Sequence, residues 1–218
     1  GWCRIWRVSE AEVDGTATPD RLLLFSDAVV AIAITLLAIA LPVPQGGTSH
    51  AFWSSVRHNQ GHYLAFLTSF LIISVAWSQH RRVWGFATRS DQRMQTLNML
   101  WLLTIILIPF ATQVLRPNGP QTLTTHAYRF GFYALLEVVS NAAILVIARR
   151  IVSQRLYRPG VDSARVTAAY WPCYGVIVGF GLSIPVFFAT RFGWVLWIVG
   201  PVAIARLGRY RHGREGLR

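Results

Sequence analysis

A short polar motif lies at the start of the first apolar segment of the chain and places two ionisable side chains there. Arg21 is followed by Phe25, Ser26 and Asp27, and apolar residues then dominate as far as residue 41. In a membrane-spanning helix, an acid costs about 2.5–3.5 kcal/mol at the bilayer centre and less toward the ends, so one that is kept there is functional or paired. Arg21 and Asp27 are six residues apart and do not face each other on one helix. Asp27 therefore needs a partner from another helix or a neighbouring subunit.

If this segment is a helix, the residues after Asp27 divide between two of its faces. One stripe contains a threonine among apolar residues at helical spacing: Ala28, Ile32, Thr35, Leu36 and Ile39. Asp27 aligns instead with Ala31, Ile34 and Ala38. One face can thus contact other helices while the other lines a pore. Pattern alone favours ordinary helix packing or lipid contact for the Ile32 stripe, because branched aliphatic residues fill most membrane helices.

Two more ionisable residues lie in later apolar segments. His80 ends the second segment, and histidine is the side chain that most readily titrates near neutral pH. Glu137 lies in the middle of the fourth segment, where an acid must be paired, protonated or facing water. It can pair with Asn141 one turn on, or line a cavity.

The remaining candidates for metal or enzyme chemistry are weak. His58 and His62 have a spacing that can bind zinc on a helix, but the loop around His50 and His58 contains no Cys, Asp or Glu to complete a site. Cys3 and Cys173 cannot form a disulfide framework or a zinc cluster. Phosphate-loop, nucleophile-elbow and HExxH motifs are missing. We therefore expect no metal site, no cofactor and no enzymatic activity.

The composition indicates a membrane protein. The 218 residues are 53% hydrophobic and only 14% charged, whereas soluble domains are about 25% charged. The formal net charge is +12, and all 21 basic residues are arginines. Nucleic-acid binding needs a basic face on a folded domain, but these arginines fall between apolar segments, so we expect no nucleic-acid partner.

The elements that position the polar residues are six predicted membrane helices, because about 20 apolar residues cross a bilayer. The predicted spans are residues 22–41, 62–83, 97–115, 128–148, 168–189 and 193–207. The fold class is thus an all-α integral membrane protein, with a tail at 1–20, one membrane domain at 21–207 and a basic tail at 208–218. Acidic residues precede the first span, whereas a signal peptide begins with basic ones, so we expect that span to be retained. Seventeen arginines fall in segments that share a side with the N-terminus and four on the other side, which predicts that both termini are cytoplasmic.

The sequence resembles the transmembrane protein 175 family of potassium channels, found in bacteria, archaea and animal endolysosomal membranes. The resemblance is strongest over residues 21–41, where the polar motif precedes Ala31-Ile32-x-x-Thr35-Leu36-Leu37. Weaker similarity follows at Trp77-Ser78-Gln79-His80, and at Leu97-Asn98-x-Leu100 with Pro109-Phe110.

This resemblance implies a homotetramer in a bacterial cell membrane, in contact with lipids and monovalent cations, with K⁺ as the permeant ion. It implies that Ile32 forms a hydrophobic constriction, that Leu36 and Ile39 also line the pore, and that Thr35 contributes to potassium preference. A polar network near the cytoplasmic side would comprise Arg21, Phe25, Ser26, Asp27, His80 and Asn98. Because the chain has no Thr-Val-Gly-Tyr-Gly filter, we expect modest selectivity. The alternatives are a proton-coupled transporter or proton-conducting pathway that uses Asp27, His80 and Glu137, and a non-conducting scaffold.

Overall fold

The computed structural model describes residues 19–116 and 119–215, which form seven α-helices and no strand beyond one isolated bridge. The helices are α1 (Pro19–Ile39), α2 (Ser49–His58), α3 (Gln60–Trp84), α4 (Gln92–Val114), α5 (Leu123–Ser153), α6 (Ser163–Ala189) and α7 (Val195–Glu215). Residues 1–18 lie outside the described part, and with them Cys3 and nearly all of the predicted tail at 1–20. Residues 216–218, at the end of the predicted tail at 208–218, also lie outside it.

Five of the described helices are long and apolar enough to cross a bilayer, namely α1, α3, α4, α5 and α6. The chain is therefore an all-α membrane protein with five candidate spans and two further helices. The predicted sixth span at 193–207 coincides with α7, but its apolar part, Val195–Ile204, is shorter than a full span. Arginines follow that apolar part, so the helix continues while its hydrophobicity ends.

Helix α2 is an element that the sequence analysis did not predict. It occupies the loop between the first two predicted spans and begins where the Thr48 hydroxyl accepts a hydrogen bond from the Ala51 amide, 3.2 Å away. A polar segment of 10 residues has too little hydrophobicity to be recognised as a span. Asn59 separates α2 from α3, so His58 and His62 do not lie on one continuous helix. The described residues contain no cluster of three or more His, Cys, Asp or Glu side chains.

Helix α5 lies at the centre of the bundle, packed against α3, α4 and α6. Helix α1 lies at one side against α3 and α4, and α7 lies at the other side against α6. Large side chains such as Trp84, Trp101 and Tyr133 are fully buried between the helices. The face of α1 that carries Ser26 therefore packs against α3 and α4.

The contact between α6 and α7 depends on glycines. Gly175 and Gly179 lie one turn apart on α6, opposite Gly200 of α7. A Cβ atom added to Gly200 would lie 2.5 Å from the Gly179 Cα atom, closer than side chains tolerate. Small residues at this spacing let membrane helices approach backbone to backbone. The apolar part of α7 is thus packed into the bundle along α6.

The turn between α3 and α4 is anchored to the end of α5. Asp91 caps α4 by accepting a hydrogen bond from the Met94 amide at 2.9 Å, and it also forms an ion pair with Arg150 of α5. Burial alone would raise the pKa of the Asp91 carboxyl, but the hydrogen bonds from Met94 and Arg150 outweigh it and lower that pKa. The Thr88 amide also donates to the Leu156 carbonyl oxygen at 2.8 Å. These contacts fix the position of α4 beside α3.

Candidate functional site

Helix α1 has one face packed in the bundle and one face that the described residues leave exposed. Its buried residues are Ser26, Val30, Ala33 and Leu37. The stripe identified in the sequence lies on the other side, with exposed fractions of 59% for Ile32, 45% for Leu36 and 79% for Ile39. Ala28 and Thr35 are exposed beside them. A row of large apolar side chains is thus available to contact lipid, another subunit or the lumen of a pore.

Thr35 lies on the exposed face and is oriented by the helix itself. Its hydroxyl donates a hydrogen bond to the Ile32 carbonyl oxygen at 2.8 Å. Because the hydroxyl hydrogen is bound to the backbone, the oxygen lone pairs remain available for a donor or a cation. Thr35 thus adds an acceptor to an otherwise apolar surface.

A buried chain of hydrogen bonds connects α1, α3 and α4. The Asn98 amide nitrogen donates to the Ser26 hydroxyl oxygen at 3.1 Å, and the Asn98 amide oxygen lies 2.7 Å from His80 Nε2. The Ser26 hydroxyl donates in turn to the Leu22 carbonyl oxygen at 2.8 Å. The His80 ring stacks on Trp101, with ring centroids 3.9 Å apart. Three helices are thereby held in one register by residues that water does not reach.

Asp27 belongs to a separate, more exposed group. The Trp77 indole N–H donates to its Oδ1 atom at 2.7 Å, and the Arg81 guanidinium donates to its Oδ2 atom at 3.1 Å. The Arg81 guanidinium also lies 5.5 Å from the centre of the Trp77 ring. The partners that an acid at this position requires therefore come from α3 of the same protomer.

The six residues predicted to form one polar network divide into three groups. Ser26, His80 and Asn98 form the buried chain, and Asp27 forms the pair with α3. Arg21 and Phe25 are exposed, and within the described residues Arg21 has no hydrogen bond or ion pair.

Trp101 and Arg81 also belong to the site, although neither was predicted from the sequence. Arg81 follows Trp77 by one helical turn, which puts a cation and an N–H donor on one face, and this spacing was the available signal. Trp101 lies one turn after Asn98 on α4, but its stacking on His80 joins two helices and has no signal in the local sequence.

Glu137 is buried in α5 at some distance in sequence from the α1 motif. The Asn141 amide nitrogen donates to the Glu137 main-chain carbonyl oxygen at 2.9 Å and not to its carboxyl group. Within the described residues, the Glu137 Oε1 atom has no hydrogen-bond partner. Asp27, His80 and Glu137 are not hydrogen-bonded to one another.

Comparison with known proteins identifies the relatives of this chain. Residues 21–109 match the family described as the endosomal/lysosomal potassium channel TMEM175. A potassium channel of Chamaesiphon minutus is 32% identical over 169 residues, which cover 75% of this chain and 83% of that protein. A potassium channel of Streptomyces collinus is 29% identical over 149 residues, covering 68% of this chain and 72% of the relative. The human endosomal/lysosomal proton channel TMEM175 is 29% identical over 173 residues, covering 78% of this chain and 33% of the human protein.

A solved structure shares the fold. The crystal structure of a lysosomal potassium-selective channel TMEM175 homologue from Chamaesiphon minutus superimposes with a TM-score of 0.69 and 26% sequence identity. The superposition covers 86% of this chain and 96% of that one. These similarities agree with two features of the chain itself. One is the polar motif at the start of α1, and the other is the packing of α1 on α3 and α4. The chain belongs to the TMEM175 family of ion channels.

Proposed function

We propose that this chain is a subunit of a potassium-permeable cation channel whose pore is lined by α1. The single observation that carries the proposal is the face of α1 that holds Ile32, Leu36 and Ile39, which is exposed in the protomer although its residues are large and apolar. In a homotetramer, four copies of this face would surround a common axis. Ile32 would then form the hydrophobic constriction, with Leu36 and Ile39 extending it along the pore.

The chemistry of this face suits a gated pore of modest selectivity. A ring of isoleucine side chains excludes water when narrow, and a small dilation lets a partly hydrated cation pass. The Thr35 oxygen, one turn from Ile32, offers an acceptor to a cation near that ring. A few hydroxyl oxygens cannot replace a whole hydration shell, so potassium would be favoured over sodium only modestly.

The proposed topology has six spans with both termini in the cytoplasm of a bacterial cell. The close packing of α7 against α6 supports the sixth span, even though its apolar part is short. The distribution of arginines supports the orientation, because cytoplasmic segments of membrane proteins are rich in basic residues. In this orientation the Asp27–Arg81 pair lies near the cytoplasmic side, where both groups can approach water.

The test is cation flux into liposomes that contain the wild-type protein or Ile32→Asn. A polar side chain at the constriction should hold water in the pore and raise K⁺ flux. The matched control is Leu103→Asn on α4, since Leu103 is an apolar residue of similar exposure on a helix outside the proposed pore. If the wild-type protein conducts K⁺ and Ile32→Asn conducts it equally well, Ile32 does not form the constriction.

A proton pathway is the second candidate function, and the unpaired carboxyl of Glu137 favours it. The human relative carries the name of a proton channel. If Glu137 carries protons, Glu137→Gln should abolish pH-gradient-driven flux. If α1 lines the conducting pore, K⁺ flux should survive that substitution and respond to Ile32→Asn.

A further inference from the structure

A groove of about 900 Å³ lies between α3 on one side and α6 and α7 on the other, with α5 as its floor. Leu64, Leu71 and Val75 of α3 form an apolar wall, and each of them is more than half exposed. The groove is therefore open along the length of α3, at the depth where lipid chains lie in the proposed topology. In a membrane this wall contacts lipid chains, and the hydrocarbon chain of a ligand can take their place with little change in free energy.

The floor of this groove contains an acid without a partner. Glu137 lines it and is 2% exposed, and among the described residues its Oε1 atom has no hydrogen bond. The neighbouring polar groups do not supply one. Asn141 donates to the Glu137 main-chain oxygen, and the Tyr133 hydroxyl is engaged with Ser69 at 3.1 Å. A buried carboxyl in apolar surroundings gains most from a group that supplies both positive charge and N–H donors.

Aromatic rings surround the same part of the groove. Trp197 stacks on Phe180 and Tyr133, with ring centroids 4.7 and 5.4 Å apart. The Trp197 indole N–H donates to the Ser183 hydroxyl oxygen at 2.8 Å, which fixes the ring. Tyr133 lies one turn before Glu137 on α5 and lines the same groove. Aromatic rings near an acid favour organic ammonium ions, because the rings attract cations.

The charges at one end of the groove disfavour a small inorganic cation as its occupant. Arg116 lines that end together with His58 and His62, and none of these three side chains is negatively charged. A small inorganic cation that enters from water at this end would meet the positive charge of Arg116. A ligand with a long apolar chain can instead enter laterally from the bilayer.

We propose that this groove binds an amphipathic organic ammonium ion, with its nitrogen against the Glu137 carboxylate and its alkyl chain along α3. The site is distinct from the exposed face of α1, and its occupancy does not depend on ion conduction. Both a primary alkylamine and a quaternary alkylammonium have the required chemistry. The primary amine can also donate N–H bonds to Glu137, whereas the quaternary ion relies on charge and on the rings.

The experiment measures binding to the intact, purified protein by native mass spectrometry with dodecylamine, dodecyltrimethylammonium and dodecanol. The alcohol has the same chain without the charge, so a preference for the two ammonium probes requires no mutation. Glu137→Gln should weaken binding of dodecylamine about tenfold, the effect of one lost charged hydrogen bond. It should also weaken binding of dodecyltrimethylammonium through the lost charge attraction and leave dodecanol binding unchanged. Glu137→Asp should retain part of the preference.

Val75→Ala is the matched control, because it removes contact with the chain and should weaken all three probes equally. Melting temperature and oligomer size verify that each variant folds. Should Glu137→Gln fail to fold, the comparison of amine with alcohol on the wild-type protein still decides. Equal binding of dodecylamine and dodecanol would overturn the proposal and leave a groove for any lipid chain. If the intact oligomer binds no probe, the proposal is also wrong. That result would indicate that a second copy of the chain covers the groove.

Discussion

The two faces of α1 are equally apolar in composition but have opposite surroundings. Val30, Ala33 and Leu37 are packed against α3 and α4, while Ile32 and Ile39 are 59% and 79% exposed. The packed face also contains the buried polar contact from Ser26 to Asn98. Hydrophobicity therefore does not identify the packing face of this helix, whereas the buried hydrogen bond between Asn98 and Ser26 does. Changes on the packed face should therefore alter stability, and changes on the exposed face should alter conduction or assembly.

The largest effect is expected from Asn98→Leu, which removes the polar contact on the packed face of α1. The substitution keeps the side-chain size and removes two hydrogen bonds, the one that Asn98 donates to Ser26 and the one that it accepts from His80. We expect a loss of about 1–3 kcal/mol in the free energy of unfolding, measured in mixed micelles. The control is Thr96→Val on the same helix, because Thr96 is exposed and its hydroxyl donates only to the Gln92 carbonyl oxygen. Equal stability of the two variants would show that the buried chain does not hold the helices.

A pair of alanines on α1 sharpens the comparison further. Ala33 is 1% exposed and Ala31 is exposed, two residues away on the same helix. Ala33→Leu should overpack the contact with α3 and α4 and cost about 1–3 kcal/mol in protomer stability. Ala31→Leu should leave the melting temperature unchanged. If Ala31→Leu instead disrupts only the oligomer, its face is a subunit contact. A loss of protomer stability in both variants would contradict the division into two faces.

Thr35→Val tests the exposed face by its effect on selectivity. The two side chains have the same shape, and only the hydroxyl oxygen is removed. The ratio of K⁺ to Na⁺ flux in liposomes should fall by about twofold to tenfold, as expected for about 0.5–1.4 kcal/mol. Thermal stability should not change. The control is Thr35→Ser, which keeps the hydroxyl and should retain the wild-type ratio. An unchanged ratio in Thr35→Val would show that the Thr35 hydroxyl does not contribute to selectivity.

The smallest effect is expected from Asp27→Asn, at the border between the two faces. The side chains of Asp27 and Arg81 are 25% and 52% exposed, so water and salt weaken their attraction. We expect a loss of about 0.2–1 kcal/mol, and a similar loss in Arg81→Gln. A double-mutant cycle at low and high salt isolates the pair. A destabilisation as large as that of Asn98→Leu would show that Asp27 has a partner beyond the protomer.

Much of the candidate site could be predicted from local patterns. The stripe of Ile32, Leu36 and Ile39 follows from helical spacing, and the cost of an acid in a membrane segment drew attention to Asp27. The ion pair of Asp27 with Arg81 and the stacking of His80 on Trp101 could not be predicted, because they join residues on different helices. Helix α2 was missed because a short polar helix has no span-like hydrophobicity and depends on its Thr48 cap.

Composition and the spacing of apolar residues were enough to predict a membrane protein, the positions of its long helices and the stripe of Ile32, Leu36 and Ile39 on α1. These properties depend on composition and on 3.6 residues per turn, which are local. Helix packing decided the rest. The buried face of α1 is neither predicted stripe but a third set of residues, which includes Ser26 and Ala33. Packing also decided which polar residues form one chain of hydrogen bonds and where Glu137 lies. Those outcomes depend on contacts between residues far apart in sequence, such as Ser26 with Asn98. Each contact exists only when separate helices are packed at a particular register, and that register is a property of the whole bundle.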